Sequence, residues 1–139
     1  MSDQPTAEWV SDLFVSMMWG STDDFLARCS DDLVLHARGT HAATTYVPKP
    51  EIPAWYESLK SLAGSAMRST IEVVRLDESK VIVLLRHTFV RDGIDHDFEM
   101  VNDCRFRGTT LTRWSSYPLN LPTFARALGV EGAVTPQLV

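Results

Sequence analysis

The stretch Lys80-Val81-Ile82-Val83-Leu84-Leu85-Arg86-His87-Thr88-Phe89-Val90-Arg91-Asp92-Gly93 decides the fold class. Residues 80–91 form a long apolar run rich in β-branched and aromatic side chains, as a strand requires. It runs straight into Asp-Gly, the pair best suited to the positive φ angles of a two-residue hairpin turn. Residues 95–107 are therefore the return strand. Upstream, residues 67–76 alternate, with Ile71 and Val73 set against Thr70 and Glu72. Downstream, Gly108 marks a second turn and 109–117 a last strand. One turn signal thus organises the second half of the chain into a four-stranded antiparallel meander.

The first half is helical. Trp9, Val10, Leu13, Phe14, Met17 and Met18 recur at helical spacing, which predicts a helix over 8–19 that Gly20 stops. Ser21 or Thr22 caps a second, short helix ending near Ser30. Asp23 and Asp24 sit in its first turn, where the helix dipole favours carboxylates. Residues 32–38 read as a short strand and 39–49 as a polar loop. Pro50 opens a third helix, 51–63, with an apolar face of Ile52, Trp55, Tyr56, Leu59 and Leu62, and Gly64 ends it. A final short helix is expected over 122–128, followed by a tail, 130–139, without periodicity. Helices first and strands after them argue an α+β fold, with helices packed on one face of a curved sheet. Such a sheet leaves a cone whose mouth is a natural small-molecule pocket.

Composition limits the function. The chain has 139 residues, a size expected to form one domain, 1–139, with its core over about 8–128. With 45% hydrophobic and 22% charged residues it has the makings of a packed core rather than of a disordered chain. Thirteen basic against eighteen acidic residues give a net charge of −5, which argues against nucleic acid and against an anionic membrane surface. The longest aliphatic run, Val81 to Leu85, is far short of a membrane span. The start, Met1-Ser2-Asp3-Gln4-Pro5, lacks the basic and apolar stretches of a secretory signal, so a cytoplasmic setting is expected. Cys29 and Cys104 offer neither a disulfide framework nor a metal spacing, and both thiols are expected to be buried.

Four strings and their order resemble the nuclear transport factor 2-like superfamily, and within it the SnoaL-like polyketide cyclase and ketosteroid isomerase group. They are Asp31-Asp32-Leu33-Val34-Leu35-His36-Ala37-Arg38-Gly39, Ile52-Pro53-Ala54-Trp55-Tyr56, Val101-Asn102-Asp103-Cys104-Arg105-Phe106-Arg107-Gly108 and Leu111-Thr112-Arg113-Trp114-Ser115-Ser116-Tyr117. The resemblance spans roughly residues 8–128. It implies a cystatin-like curved antiparallel sheet wrapped around the N-terminal helices, forming a cone-shaped pocket. By that likeness His36 stands where the isomerases place a general base, and Asn102 where they place an oxyanion donor. Leu13 stands where they carry a second donor, a tyrosine. Trp55 and Tyr56 match an aromatic pair on the pocket helix. Limonene-epoxide-hydrolase-like proteins share a string similar to Trp114-Ser115-Ser116-Tyr117, but Met100, Asn102 and Leu119 replace their polar set. Scytalone-dehydratase-like proteins use histidines and an Asn, an inventory echoed by His36, His87 and Asn102.

The residues themselves give these positions chemistry. A histidine titrates near neutral pH, and Val34 and Leu35 beside His36 suggest a partly dry site that keeps it neutral. Asn102 shares a strand face with Met100, Cys104 and Phe106, where an amide must find a partner, either a developing oxyanion or the backbone. His87 lies on the face of Val81, Val83, Leu85 and Phe89, as an acid–base or ligand-orienting group or as a satisfied core histidine. Trp55, Tyr56, Met100 and Tyr117 are the expected substrate contacts. Trp114, of opposite parity to Tyr117, is expected on the outside of the sheet, at a homodimer interface. His41 and His96 fall in expected loops or turns, no metal site is expected, and Asp92, Asp95 and Asp97 read as a solvated hairpin tip. Gly39, Gly64 and Gly108 form no phosphate-loop pattern. The expectation is a cofactor-free proton-transfer enzyme of isomerase, cyclase or dehydratase type on a small apolar substrate, polycyclic ones included. The alternatives are a non-catalytic ligand-binding or dimerisation module, and a subunit of a larger enzyme.

Overall fold

The structure, a computed structural model, describes residues 5–38, 46–63, 67–120 and 123. Helix α1 spans Ala7–Met18, capped by the Thr6 hydroxyl, which accepts from the Trp9 backbone N–H. Helix α2, Thr22–Ala27, is capped in the same way by Ser21 through the Asp24 N–H. Each cap satisfies a backbone donor that the helix leaves unpaired. A short 3-10 turn, Lys49–Glu51, with Pro50 inside it, leads into α3, Ile52–Ala63. The expected helix over 122–128 and the tail lie outside the described residues, apart from Thr123.

Six strands follow the order β2-β1-β6-β5-β4-β3. They are β1 (Val34–Ala37), β2 (Tyr46–Pro48), β3 (Arg68–Arg75), β4 (Lys80–Arg91), β5 (Ile94–Arg107) and β6 (Thr110–Pro118). Strands β3 to β6 form the antiparallel meander read from the sequence, turning at Asp92 (φ 54°) and Gly93 (φ 76°). Two features differ from expectation. Residues 46–48, read as loop, pair antiparallel with β1. The sheet is also mixed, because β1 runs parallel to β6.

Register assigns every side chain to a face. Val81, Val83, Leu85, His87 and Phe89 of β4 pair with Cys104, Asn102, Met100, Phe98 and His96 of β5. This row faces the helices. Between Arg105 and Phe106 the β5–β6 ladder shifts: Phe106 pairs with Leu111, whereas Arg105 pairs with Arg113. Thr112 is thus the extra residue of a bulge, and a one-residue bulge exchanges the faces beyond it. Counting in twos from Leu111 would turn Arg113, Ser115 and Tyr117 inward. The bulge instead turns in Trp114, Ser116 and Pro118, all of which are buried.

The core lies between this inner face and the helices. Val10, Leu13, Phe14, Met17 and Met18 of α1 and Ile52, Trp55, Tyr56 and Leu59 of α3 are buried, as the helical spacing predicts. Trp114 is its hub: its ring meets Phe14 and Phe25 at 5.6 Å and Trp55 at 6.1 Å, all edge-on or nearly so. Edge-to-face contacts of this kind add about 0.5–1.5 kcal/mol each beyond the area they bury. Trp9, half-buried, sets its ring edge-on to Phe106 and receives the Arg28 guanidinium over its face. Both thiols are buried, as expected.

Candidate functional site on the inner face

Three polar or charged side chains are buried among the described residues: His87, Asn102 and Ser116. All three face inward, and their partners separate them. The Asn102 amide is engaged at both ends. Its Nδ2 donates to the Val83 carbonyl at 3.1 Å, and its Oδ1 accepts from the Trp114 indole Nε1 at 2.8 Å. An amide bonded in this way holds β4, β5 and β6 together and answers the cost of burying it. Its place on the inner face agrees with the sequence reading, and its bonds are those of the satisfied core amide rather than of a free oxyanion donor.

His87 differs. Its ring is fully buried and 5.0 Å from that of Phe98. Nδ1 lies 2.6 Å from the Ser69 hydroxyl, on the neighbouring position of β3. Nε2 is buried with no hydrogen-bond partner among the described residues. Burial in this apolar row pushes the imidazole pKa down to about 4, so at neutral pH the ring is uncharged. The Tyr56 hydroxyl, on α3, is a second buried polar atom without such a partner, and burial pushes its pKa up. A half-open cleft of about 600 Å³ lies one rung along the sheet from the Ser69–His87 pair, bordered by Arg68, Thr88, Phe89, His96 and Asp97.

The expected meeting of His36 with Asn102 does not occur. Leu35 and Ala37 pair with Trp114 and Ser116 and share their inward face, so His36, beside Ser115, points outward. There it is half-buried and stacks on its cross-strand partner Tyr46, with ring centres 4.7 Å apart and an angle of 8°. Tyr117 is corrected for the same reason. It lies outside, half-buried, with the Arg38 guanidinium 4.8 Å over its ring, rather than in the cone mouth. Trp114, expected outside, is the centre of the core. Trp55, Tyr56 and Met100 face inward and are buried. His96, expected in a turn, sits in β5 and stacks on Phe89 at 5.4 Å, while His41 lies outside the described residues. Asp97 at the hairpin is in an ion pair with Arg86. Ser69 was missed. The one signal for it was its position on the inner parity of an alternating strand.

No group of three or more His, Cys, Asp or Glu among the described residues is placed to hold a metal ion. No helix among them is long and apolar enough to cross a membrane.

No protein-family model matches the chain, and no curated protein matches it by sequence. Solved structures do match. Bal32a, from a soil-derived mobile gene cassette, superposes with a TM-score of 0.73 at 16% identity, over 88% of this chain and 95% of that one. IdmH of Streptomyces antibioticus, a proposed polyketide cyclase, gives 0.66 at 16%, over 87% and 96%. A Catenulispora acidiphila protein with a ketosteroid isomerase-like fold, in complex with trimethylamine, gives 0.66 at 16%, over 91% and 96%. The chain has the fold of the nuclear transport factor 2-like and ketosteroid isomerase-like proteins, an α+β cone of helices against a curved, unclosed sheet.

Proposed function

We propose that the chain takes a small, apolar, ring-bearing molecule between its helices and the inner face of the sheet, and performs cofactor-free proton-transfer chemistry on it, of isomerase, cyclase or dehydratase type. The observation that carries this reading is His87 Nε2, a hydrogen-bonding atom buried in an apolar interior with no described partner. A buried polar atom of this kind costs about 1–3 kcal/mol until a water or a ligand satisfies it. Trp55, Tyr56, Phe98 and Met100 supply apolar and aromatic surface on the same side of the sheet. The similar folds of a proposed polyketide cyclase and of a protein holding trimethylamine support a small-molecule role.

A non-catalytic ligand-binding module is the second reading. It is favoured by one observation: no carboxylate is buried among the described residues, so none joins His87 in the interior. A homodimer formed through the outer face belongs to either reading. That face carries Ile82, Leu84, Val101 and Tyr117 in place of the expected Trp114.

1-Tetralone in deuterated buffer separates the two. The enzymatic reading requires the protein to speed loss of the proton beside the carbonyl, which leaves to solvent and returns as a deuteron, and His87→Leu to abolish the gain. Saturable binding with exchange no faster than in buffer leaves the binding module. No binding at all removes the small-molecule role.

A further inference from the structure

We propose that Ser69 fixes the tautomer of His87 so that Nε2 presents an N–H donor to the interior, and that the interior ligand therefore carries an oxygen acceptor, a ketone or enol oxygen, at that point. This rests on the interior ligand site argued above and adds the polarity of the contact. A neutral imidazole has one donor and one acceptor nitrogen, and the bond at one ring nitrogen decides the other. The Ser69 Oγ to His87 Nδ1 separation is 2.6 Å. Nδ1 is the one hydrogen-bond partner of the Ser69 hydroxyl among the described residues, so the hydroxyl proton is directed at the ring nitrogen's lone pair. Ser69 therefore donates, Nδ1 accepts, and the proton resides on Nε2.

The consequence concerns chemistry. An uncharged ring with a buried Nε2–H is a poor base and a suitable partner for a carbonyl oxygen that gains charge as solvent takes the proton from the neighbouring carbon. Burial holds the imidazole neutral through the physiological range, which agrees with this role. Ser69 is half-buried on the inner face of β3 and acts through His87, so it is a positioning residue.

The test is nitrogen-15 NMR of the histidine rings of the full chain at pH 7, free and with 1-tetralone or its hydrocarbon counterpart tetralin. In the free protein Nδ1 of His87 should show the unprotonated shift and Nε2 the protonated one. 1-Tetralone should move the Nε2–H resonance and bind about tenfold more tightly than tetralin, the worth of one hydrogen bond. Ser69→Ala should mix the two tautomers and erase that preference, and Ser69→Thr should restore both. A protonated Nδ1 in the free protein overturns the tautomer and leaves interior binding standing. An unchanged tautomer in Ser69→Ala overturns the positioning role. Equal binding of the two compounds overturns the oxygen acceptor. Failure of both to reach the interior overturns the ligand class together with the site it rests on.

Discussion

The indole Nε1 of Trp114 donates to the Asn102 side-chain oxygen across 2.8 Å, deep in the core. The bond ties together two residues that the sequence placed on opposite sides of the sheet. It also gives Asn102 a structural role. Trp114→Phe keeps an aromatic ring but loses part of the indole's volume and orphans the amide oxygen, and Asn102→Leu orphans the indole N–H. Each should cost about 1–3 kcal/mol in urea denaturation. The double variant should cost clearly less than the sum, because both partners are then gone. Additive losses would mean that the bond contributes nothing.

Acid should destabilise the protein through His87. Burial brings the folded ring down to about 4 from the ordinary histidine value of 6.5. Between those values the unfolded chain binds the additional proton, so stability is full above pH 6.5 and falls until about pH 4. The loss is of order 3 kcal/mol by proton linkage. Other groups titrate in the same window, so the measurement is the difference between the parent and His87→Leu. The variant should lose less stability over this range, and identical pH profiles would contradict a buried neutral ring.

Gly93 has φ of 76°, and a Cβ built there meets no atom within 4 Å. The only cost of Gly93→Ala is backbone conformation, about 1–2 kcal/mol. Thermal denaturation should show that small loss, with 1-tetralone binding unchanged.

The outer face should govern self-association. Leu84 pairs with Val101 and Val101 with Tyr117 in one outward row. Leu84→Glu should give monomers in sedimentation, whereas Trp114→Phe should keep the parent's oligomeric state. A dimer that persists in Leu84→Glu would place the interface elsewhere.

Much of this architecture was legible in the sequence because it is local. Helical spacing gave the buried faces of α1 and α3, and Asp92-Gly93 gave the central hairpin and with it the meander. Strand β2 was not legible. Tyr46-Val47-Pro48 is too short to show alternation and exists as a strand only by pairing with β1. The faces of Trp114 and Tyr117 were not legible, because Thr112, extra in β6, exchanges the faces of every residue after it. The expectation for His36 came from the likeness alone, and its outward face follows from the pairing of β1 with β6, which the sequence does not show. Inward placement of His87 and Asn102 was legible, since neither lies beyond the bulge. Which of them is bonded was not, because Trp114 and Ser69 reach them from other strands.

The measurement that bears most directly on where the site lies is 1-tetralone affinity in two variants, His87→Leu and His36→Ala, each checked for an unchanged fold. A site on the inner face requires His36→Ala to bind within about twofold of the parent and His87→Leu to bind about tenfold more weakly, the worth of one hydrogen bond. Weakened binding in His36→Ala with parent-like binding in His87→Leu would contradict it and move the site to the outer face, beside Tyr46 and Tyr117.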